Sequence, residues 1–259
     1  ALAYPENGKL LDYLVGQVKQ SSITVQLSTE ADAALVARLK PDTIVVATGA
    51  RRAAPAIAGA EQKHVWSGDE LRRLMTGDGA DEISKAKLSL TERAMFKAGG
   101  MLRVTDSTQA LQSLSKLWMP LGKQVVIVGG GLVGLELAEF LLARGRQVTV
   151  LEPGTHPGPE LPIVRRWRVV EAVTAHGTLK LKAQVREITR NAVLWQDAKG
   201  VEQSTPADSV VLAIGAEADD RVATALAACG VPVHRIGDCA GVNYIEGAMH
   251  DGNRVGRSV

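Results

Sequence analysis

The chain has 259 residues, of which 46% are hydrophobic and 22% charged, and its formal net charge is +2. This balance is typical of a globular protein, and the length allows one large domain or two smaller ones. Lysine and arginine are spread along the chain, so nothing in the sequence suggests a nucleic-acid-binding patch. No apolar run reaches the ~18–20 residues that cross a bilayer, and the first residues do not resemble a secretory signal peptide. We therefore expect neither a membrane nor a nucleic acid as a partner.

The cysteine content argues against a metal or redox centre. Cys229 and Cys239 are the two cysteines of the chain, and they do not form a Cys-x-x-Cys pair. That arrangement gives no support to a redox dithiol, an iron–sulfur cluster or a zinc site. The sequence leaves a disulfide between them open, but a reduced, cytoplasmic setting is the simpler interpretation. We expect no metal ion.

The first part of the chain alternates between predicted helices and short strands. Leucines and valines between positions 10 and 18 share one helical face. Ser67-x-x-Glu70 is typical of a capping box that begins a helix. The stretch 51–62, rich in Ala, Pro and Gly, is predicted to be a linker. The predicted helices are 9–20, 31–39, 66–75, 90–97 and 107–117, and the predicted strands are 23–27 and 43–47.

From position 124 onward the pattern is more regular. Apolar strands alternate with helices, which predicts a mostly parallel sheet with helices on its faces. The expected fold class is therefore α/β, with a Rossmann-like three-layer domain. The predicted strands are 124–128, 147–151, 209–214 and 233–236, with short strands between 178 and 203, and the predicted helices are 132–144, 163–175, 223–228 and 245–255.

A glycine fingerprint connects the strand 124–128 to the helix that follows it. The sequence is Gly129-x-Gly131-x-x-Gly134, and the next strand leads into Glu152. Glu152 follows Gly129 by 23 positions (152 − 129), close to the about 20 expected of a dinucleotide-binding unit. Gly129 permits the tight turn, Gly131 lets a diphosphate approach the backbone, and Gly134 lets helix and strand pack closely.

The residues around this turn predict how a nicotinamide dinucleotide binds. Backbone N–H groups at the helix start, near Leu132 and Val133, bind the phosphates together with the positive end of the helix dipole. Glu152 accepts hydrogen bonds from the ribose hydroxyls. Its charge disfavours a 2′-phosphate, so NAD(H) is preferred over NADP(H). Three downstream arginines could contact a 2′-phosphate and keep NADP(H) open: Arg165, Arg166 and Arg168.

Three further predicted strands end in turns of small residues. Alone, each is a common junction between a strand and a turn. Together with the glycine fingerprint they form an ordered set that chance does not readily produce. The turns contain Thr48, Gly49, Gly215, Gly237 and Asp238.

This ordered set resembles the two-dinucleotide-binding flavoproteins. The similarity is greatest to the C-terminal region of the 2,4-dienoyl-CoA reductase and trimethylamine dehydrogenase group, whose larger members carry an Old Yellow Enzyme-like barrel. It covers nearly the whole chain and rests on the stretches 39–50, 117–123, 129–140, 236–239 and 248–252.

The resemblance implies one domain inserted in another. Residues 53–205, with a core at 123–203, would form the NAD(P)-binding Rossmann domain. Residues 1–52 and 206–259 would be two segments of a partial FAD-type domain. The family's FAD domain opens with its own glycine fingerprint, which is not found before position 10 here. We therefore expect an incomplete FAD site, completed by a missing N-terminal flavin and barrel portion or by a partner chain.

Individual residues take roles from the same resemblance. Gly237 and Asp238 would face the flavin or an ADP, and Thr48, Gly49 and Gly215 are further candidate cofactor-binding residues. The alternative for Asp238 is a turn aspartate without a cofactor role. No residue stands out as a catalytic acid or base.

The implied function is that of an NAD(P)H-binding module in a flavin-dependent oxidoreductase. Such a module passes hydride from NAD(P)H to a flavin, for reduction of an enoyl-type or related substrate. The alternative is a non-catalytic module that binds ADP or NAD, or that serves assembly. A visible flavin spectrum would separate the two. A short-chain dehydrogenase is disfavoured because none of the three tyrosines has a lysine four positions later.

Overall fold

The chain folds into two compact units. The computed structural model describes residues 5–52, 56–76, 80–94 and 119–259. Unit 1 comprises Ala1–Gln20 and Pro55–Ile214, and unit 2 comprises Ser21–Ala54 and Gly215–Val259. Each unit has its own strands and its own buried apolar residues, so each is described separately.

The described residues contain both helices and strands, as an α/β fold requires. The helices are α1 (Pro5–Gln20), α2 (Ala33–Leu39), α3 (Gly68–Thr76), α4 (Ala80–Lys87), α5 (Leu132–Leu142), α6 (Ile163–His176), α7 (Arg221–Ala227) and α8 (Tyr244–Gly256). The strands are β1 (Ile44–Val46), β2 (Ala50–Arg52), β3 (Val65–Ser67), β4 (Gln124–Val128), β5 (Gln147–Glu152), β6 (Thr178–Leu181), β7 (Gln184–Ile188), β8 (Ala192–Gln196), β9 (Glu202–Pro206), β10 (Ser209–Leu212), β11 (Ala216–Ala218) and β12 (Val233–Arg235).

Unit 1 is built on a five-stranded sheet in the order β3-β10-β4-β5-β6. All four neighbouring pairs are parallel. At the centre, Val126 of β4 lies opposite Val210 of β10 and Thr149 of β5. β-Branched residues dominate β4, as is usual in a parallel strand that is buried on both faces.

Alternate residues of β4 enter two different cores. Val125 and Ile127 belong to a core shared with α5 and α6. Val126 and Val128 belong to a core shared with β7 and β8, which together with β9 form an antiparallel meander. All four side chains are at most 4% exposed. The unit therefore has three layers, and the predicted α/β Rossmann-like fold is confirmed.

The predicted capping box begins α3. The Ser67 N–H donates to Glu70 Oε2 at 2.7 Å, and the Glu70 N–H donates to Ser67 Oγ at 3.1 Å. The box therefore satisfies two N–H groups at the helix start. Lys87 of α4 binds the Glu70 carboxylate at 2.7 Å and lies 5.2 Å from the centre of the Trp66 ring. These contacts join α4 to α3 and to β3.

Unit 2 has two short ladders and a small core. β1 and β12 are parallel, and β2 and β11 are antiparallel. Four buried residues form the core: Val46, Ala223, Leu226 and Cys239. Asp32 caps α2 by accepting a hydrogen bond from the Leu35 N–H at 2.8 Å. Both cysteines are free thiols, and Cys239 lies inside this core.

Most predicted elements are confirmed within one to three residues at their ends, but the strand at 23–27 is wrong. Those residues have no regular structure. Ile23, Val25 and Leu27 are 62%, 57% and 83% exposed. Alternating polarity does not make a strand unless a neighbouring strand accepts its hydrogen bonds. The predicted helix at 107–117 and the last part of the one at 90–97 lie outside the described residues.

The contacts group two segments differently from the domain limits predicted from sequence. The segment 209–212, assigned above to the second flanking segment, is β10 and lies between β3 and β4. Residues 5–20, assigned above to the first flanking segment, group with unit 1. Residues 5–20 are separated in sequence from the rest of unit 1, whereas β10 joins its sheet by pairing with β3 and β4.

Candidate functional site

The carboxyl ends of β4, β5 and β10 lie at one edge of the unit 1 sheet because these strands are parallel neighbours. The chain passes from β4 through α5 to β5 on one side, and β10 occupies the other side. Strand order therefore reverses beside β4. Open α/β sheets bind ligands at such a reversal, outside the carboxyl ends of the strands. The glycine turn follows β4, and Glu152 ends β5.

The glycine turn is packed too closely for side chains at Gly129 and Gly134. Gly129 has a φ of +106°, and a Cβ there would lie 2.5 Å from the carbonyl oxygen of Ala213. A Cβ on Gly134 would lie 1.9 Å from the carbonyl oxygen of Gly129. The Gly129 N–H donates to the Leu151 carbonyl at 2.8 Å. The turn is thus fixed from both neighbouring strands.

The start of α5 contacts the carboxylate of Glu160. Gly131 is the N-cap residue and has extended backbone geometry. The atoms nearest to a Cβ built on Gly131 all belong to the Glu160 carboxyl group, the first being Oε1 at 3.2 Å. The Leu132 N–H donates to Glu160 Oε2 at 3.3 Å. The N–H groups of Leu132 and Val133 lie in the first turn, where a helix offers no acceptor of its own.

Backbone donors hold the Glu152 carboxylate in place. The Gly130 N–H donates to Glu152 Oε2 and the Gly154 N–H donates to Glu152 Oε1, both at 2.6 Å. Hydrogen bonds to an ionised acceptor are among the stronger ones in proteins. Glu152 is therefore fixed beside the glycine turn, where the sequence predicts the ribose of a dinucleotide.

The three downstream arginines, Arg165, Arg166 and Arg168, have different surroundings. Arg165 binds Glu139 of α5 at 2.5 Å and lies 3.8 Å from Glu136, so it ties α6 to α5. Arg166 lines a cavity of about 520 Å³ beside α6, together with His156, Pro157, Trp167, Val170, Glu171 and Thr174. Arg168 is exposed.

Unit 2 places four of its five predicted site residues after two paired strands. β1 and β12 are parallel, so the turns that follow them lie at the same edge. Thr48 and Gly49 follow β1, and Gly237 and Asp238 follow β12. Gly215 precedes β11, which pairs with β2.

Asp238 has a structural role at the start of α8. Its Oδ1 accepts hydrogen bonds from the Asn243 N–H at 2.9 Å and the Tyr244 N–H at 2.8 Å. The neighbouring Gly237 N–H donates to Asp251 Oδ2 at 3.0 Å. The Arg254 guanidinium and, to a lesser extent, this N–H lower the pKa of Asp251. A flavin contact of Asp238 remains a prediction.

The structure thus separates the predicted site residues into two groups. Gly129, Gly131, Leu132, Val133, Gly134 and Glu152 lie together in unit 1, whereas Thr48, Gly49, Gly215, Gly237 and Asp238 belong to unit 2. Sequence reasoning missed Glu160, because a glutamate in a loop rich in proline and glycine carries no signal of its own. Across the described residues, no helix is long and apolar enough to cross a membrane, and no cluster of side chains suits a metal ion.

A parallel sheet, a turn without side chains where its strand order reverses, and an acid at the end of the next strand define a Rossmann-type dinucleotide-binding protein. The chain belongs to the pyridine nucleotide-disulphide oxidoreductase family, whose model matches residues 15–241. Its named relatives include reductases and an NADH oxidase. NAD(P)H and FAD are the cofactors of this family of flavoprotein oxidoreductases.

The similarity to individual relatives extends over most of this chain. It is 29% identical over 235 residues to the bilirubin reductase of Mediterraneibacter gnavus, covering 90% of this chain and 30% of the relative. It is 26% identical over 246 residues to the NADH oxidase of Thermoanaerobacter brockii, covering 94% of this chain and 32% of the relative. The solved structure of a 2-naphthoyl-CoA reductase complex superposes on this chain with a TM-score of 0.71 at 26% identity. The superposition covers 97% of this chain and 32% of the reductase chain. The chain therefore spans about a third of the length of these relatives.

Proposed function

We propose that unit 1 binds NAD(H) and that the chain is the nucleotide-binding part of a flavin-dependent oxidoreductase. One observation carries the proposal: the three atoms nearest to a Cβ built on Gly131 all belong to the side chain of Glu160, and none of them is a backbone atom. A diphosphate needs a helix start without a fixed side chain, since its oxygens must reach backbone N–H groups directly.

The residues of unit 1 fit a nicotinamide dinucleotide. The N–H groups of Leu132 and Val133 would hold the diphosphate, and the Glu152 carboxylate would accept hydrogen bonds from the ribose hydroxyls. Two backbone N–H groups already orient Glu152, so little ordering remains when the ribose binds. Such pre-organisation lowers the entropic cost of binding.

Charge supports NAD(H) over NADP(H). A 2′-phosphate placed near Glu152 would bring two negative groups together. Arg165 could offset this repulsion, but it is already bound to Glu139. Arg166 lies in the cavity beside α6 and is the arginine we would test if NADPH bound well.

The FAD site and the substrate belong to the larger enzyme that we infer. The sequence contains a single G-x-G-x-x-G motif, so the residues present fit the diphosphate of NAD(P)H and only part of an FAD site in unit 2. When both cofactors are bound, the nicotinamide supplies a hydride and the flavin accepts it. The resemblance to the 2,4-dienoyl-CoA reductase and trimethylamine dehydrogenase group supports an enoyl-type or related substrate. A flavin and barrel portion, or a partner chain, would complete a cytoplasmic enzyme.

Calorimetric titration with NADH tests the proposal on the 259-residue chain. Gly131→Val should weaken NADH binding at least about tenfold, because its side chain would occupy the place of the diphosphate. Gly68→Val is the matched control, since a Cβ at Gly68 meets no atom within 4 Å. It should bind NADH like the parent.

Two results would contradict the proposal. Undiminished NADH binding by Gly131→Val would show that the dinucleotide does not use this turn. NADPH binding that equals or exceeds NADH binding would refute the role given to Glu152. The absorbance spectrum of the purified protein, in addition, reports whether flavin stays bound.

A further inference from the structure

We propose that Glu160 sets the affinity of the glycine turn for dinucleotides, because its carboxylate competes with the diphosphate for the same backbone donor. The inference rests on the proposed function, and it adds a built-in regulator of that site. Competition of this kind requires that the carboxylate lies where the diphosphate binds, that the fold holds it there, and that it can leave.

The first condition is met at the start of α5. Glu160 Oε2 accepts the hydrogen bond of the Leu132 N–H at 3.3 Å, and that N–H is a predicted donor to the diphosphate. Glu160 Oε1 lies 3.2 Å from the position of a Cβ on Gly131. The surface that the missing side chain leaves open is therefore the surface that this carboxylate contacts. An anion at this place interacts favourably with the helix dipole.

The second condition is met by the loop that carries Glu160. The Gly158 N–H donates to the Gly130 carbonyl at 2.8 Å, and the Leu161 N–H donates to the Gly158 carbonyl at 3.0 Å. Leu161 is buried in the core that α5 shares with the sheet. Gly158 has a φ of +53°, and a Cβ there would lie 2.8 Å from side-chain atoms of both Leu135 and Leu161. The residues on either side of Glu160 thus fix its backbone next to the turn.

The third condition follows from a comparison of the two glutamates at this turn. Glu152 is half-buried and receives two N–H bonds at 2.6 Å. Glu160 is exposed and receives its bond at 3.3 Å. The longer bond is the weaker one, and an exposed side chain changes rotamer easily. Glu152 can remain as the ribose acceptor while Glu160 moves into solvent.

Glu160→Gln tests the inference, because it removes the charge and keeps the length of the side chain. NADH and ADP-ribose should each bind roughly two- to fivefold more tightly, the range expected for loss of one competing anion at a helix start. The gain should shrink as ionic strength rises, since exposed charges are screened. Glu202→Gln, an exposed glutamate on β9, is the matched control and should bind both ligands like the parent.

The outcomes separate this inference from the proposed function. If the parent binds NADH and Glu160→Gln binds it equally or less tightly, Glu160 is not a competitor, and the proposed function stands. An equal gain in Glu202→Gln would assign the effect to net charge and would likewise overturn the inference. If neither the parent nor Glu160→Gln binds NADH or ADP-ribose, the proposed function fails, and this inference fails with it.

Discussion

Units 1 and 2 both place candidate cofactor residues after parallel strands, but they support those residues differently. In unit 1, β4 is covered by helices on one face and by the meander on the other. In unit 2, the pair β1–β12 buries Val46 while Val45 remains 42% exposed. Backbone positions at a ligand site are only as precise as the packing that supports them. The glycine turn is therefore the more firmly held of the two candidate sites.

The largest effect should come from a methyl group inside the glycine turn. Gly134→Ala places a Cβ 1.9 Å from the carbonyl oxygen of Gly129, so the turn or the helix must move. We expect a loss of about 2–4 kcal/mol in the free energy of unfolding of unit 1, together with loss of NADH binding. The higher helix propensity of alanine, worth about 1 kcal/mol, is too small to compensate. Urea unfolding followed by tryptophan fluorescence measures the change.

Gly68→Ala is the control for this substitution. A Cβ at Gly68 meets no atom within 4 Å, so stability and NADH binding should stay near those of the parent. A Gly134→Ala protein as stable as the parent would show that the close packing of this turn is not needed.

Two matched substitutions of buried leucines by alanine test whether nucleotide binding depends on unit 1 alone. Leu141 of α5 is 0% exposed and Leu226 of α7 is 3% exposed. Each change to alanine should cost about 2–5 kcal/mol in its own unit, with the smaller core of unit 2 at the low end. Leu141→Ala should also weaken NADH binding, because α5 carries the proposed phosphate donors. Leu226→Ala should leave NADH binding within about twofold of the parent.

Thermal unfolding and NADH titration of the two variants provide the measurements. An equal loss of NADH affinity in both would contradict the assignment of the nucleotide site to unit 1.

The smallest effect concerns pH, and it comes from unit 1. Burial and, to a lesser degree, the charge of Lys87 lower the pKa of His64 below 6.5, although a hydrogen bond to the Thr189 backbone raises it. The His64 Nε2 atom is buried without a hydrogen-bond partner among the described residues. The folded chain therefore binds this proton less tightly than the unfolded chain. Stability should fall as the pH drops below about 6.5.

Urea unfolding midpoints between about pH 8 and about pH 5 measure how stability depends on pH. His64→Gln should remove the part of this dependence that His64 causes. His176→Gln, an exposed histidine at the end of α6, should keep it. A His64→Gln protein with the full pH dependence of the parent would refute the role of His64.

The glycine turn and Glu152, the proposed nucleotide site, could be predicted from sequence because their determinants are local. A strand, three glycines and an acid at a fixed spacing specify a turn whose geometry depends mainly on its own backbone. The Ser67–Glu70 capping box is local in the same way, and it forms as predicted. By contrast, the alternating pattern at 23–27 gave a wrong strand, because strand formation depends on a partner elsewhere in the chain.

The sequence by itself determined the α/β class, the glycine turn and the acid at the end of β5, since periodicity and spacing act over short distances. Only the tertiary structure decided that β10 lies beside β4 and that Arg165 is bound to Glu139. It also decided that Glu160 meets the start of α5. These contacts join residues far apart in sequence, and they depend on strand order and on how Gly158, in the loop after β5, packs against Leu135 and Leu161.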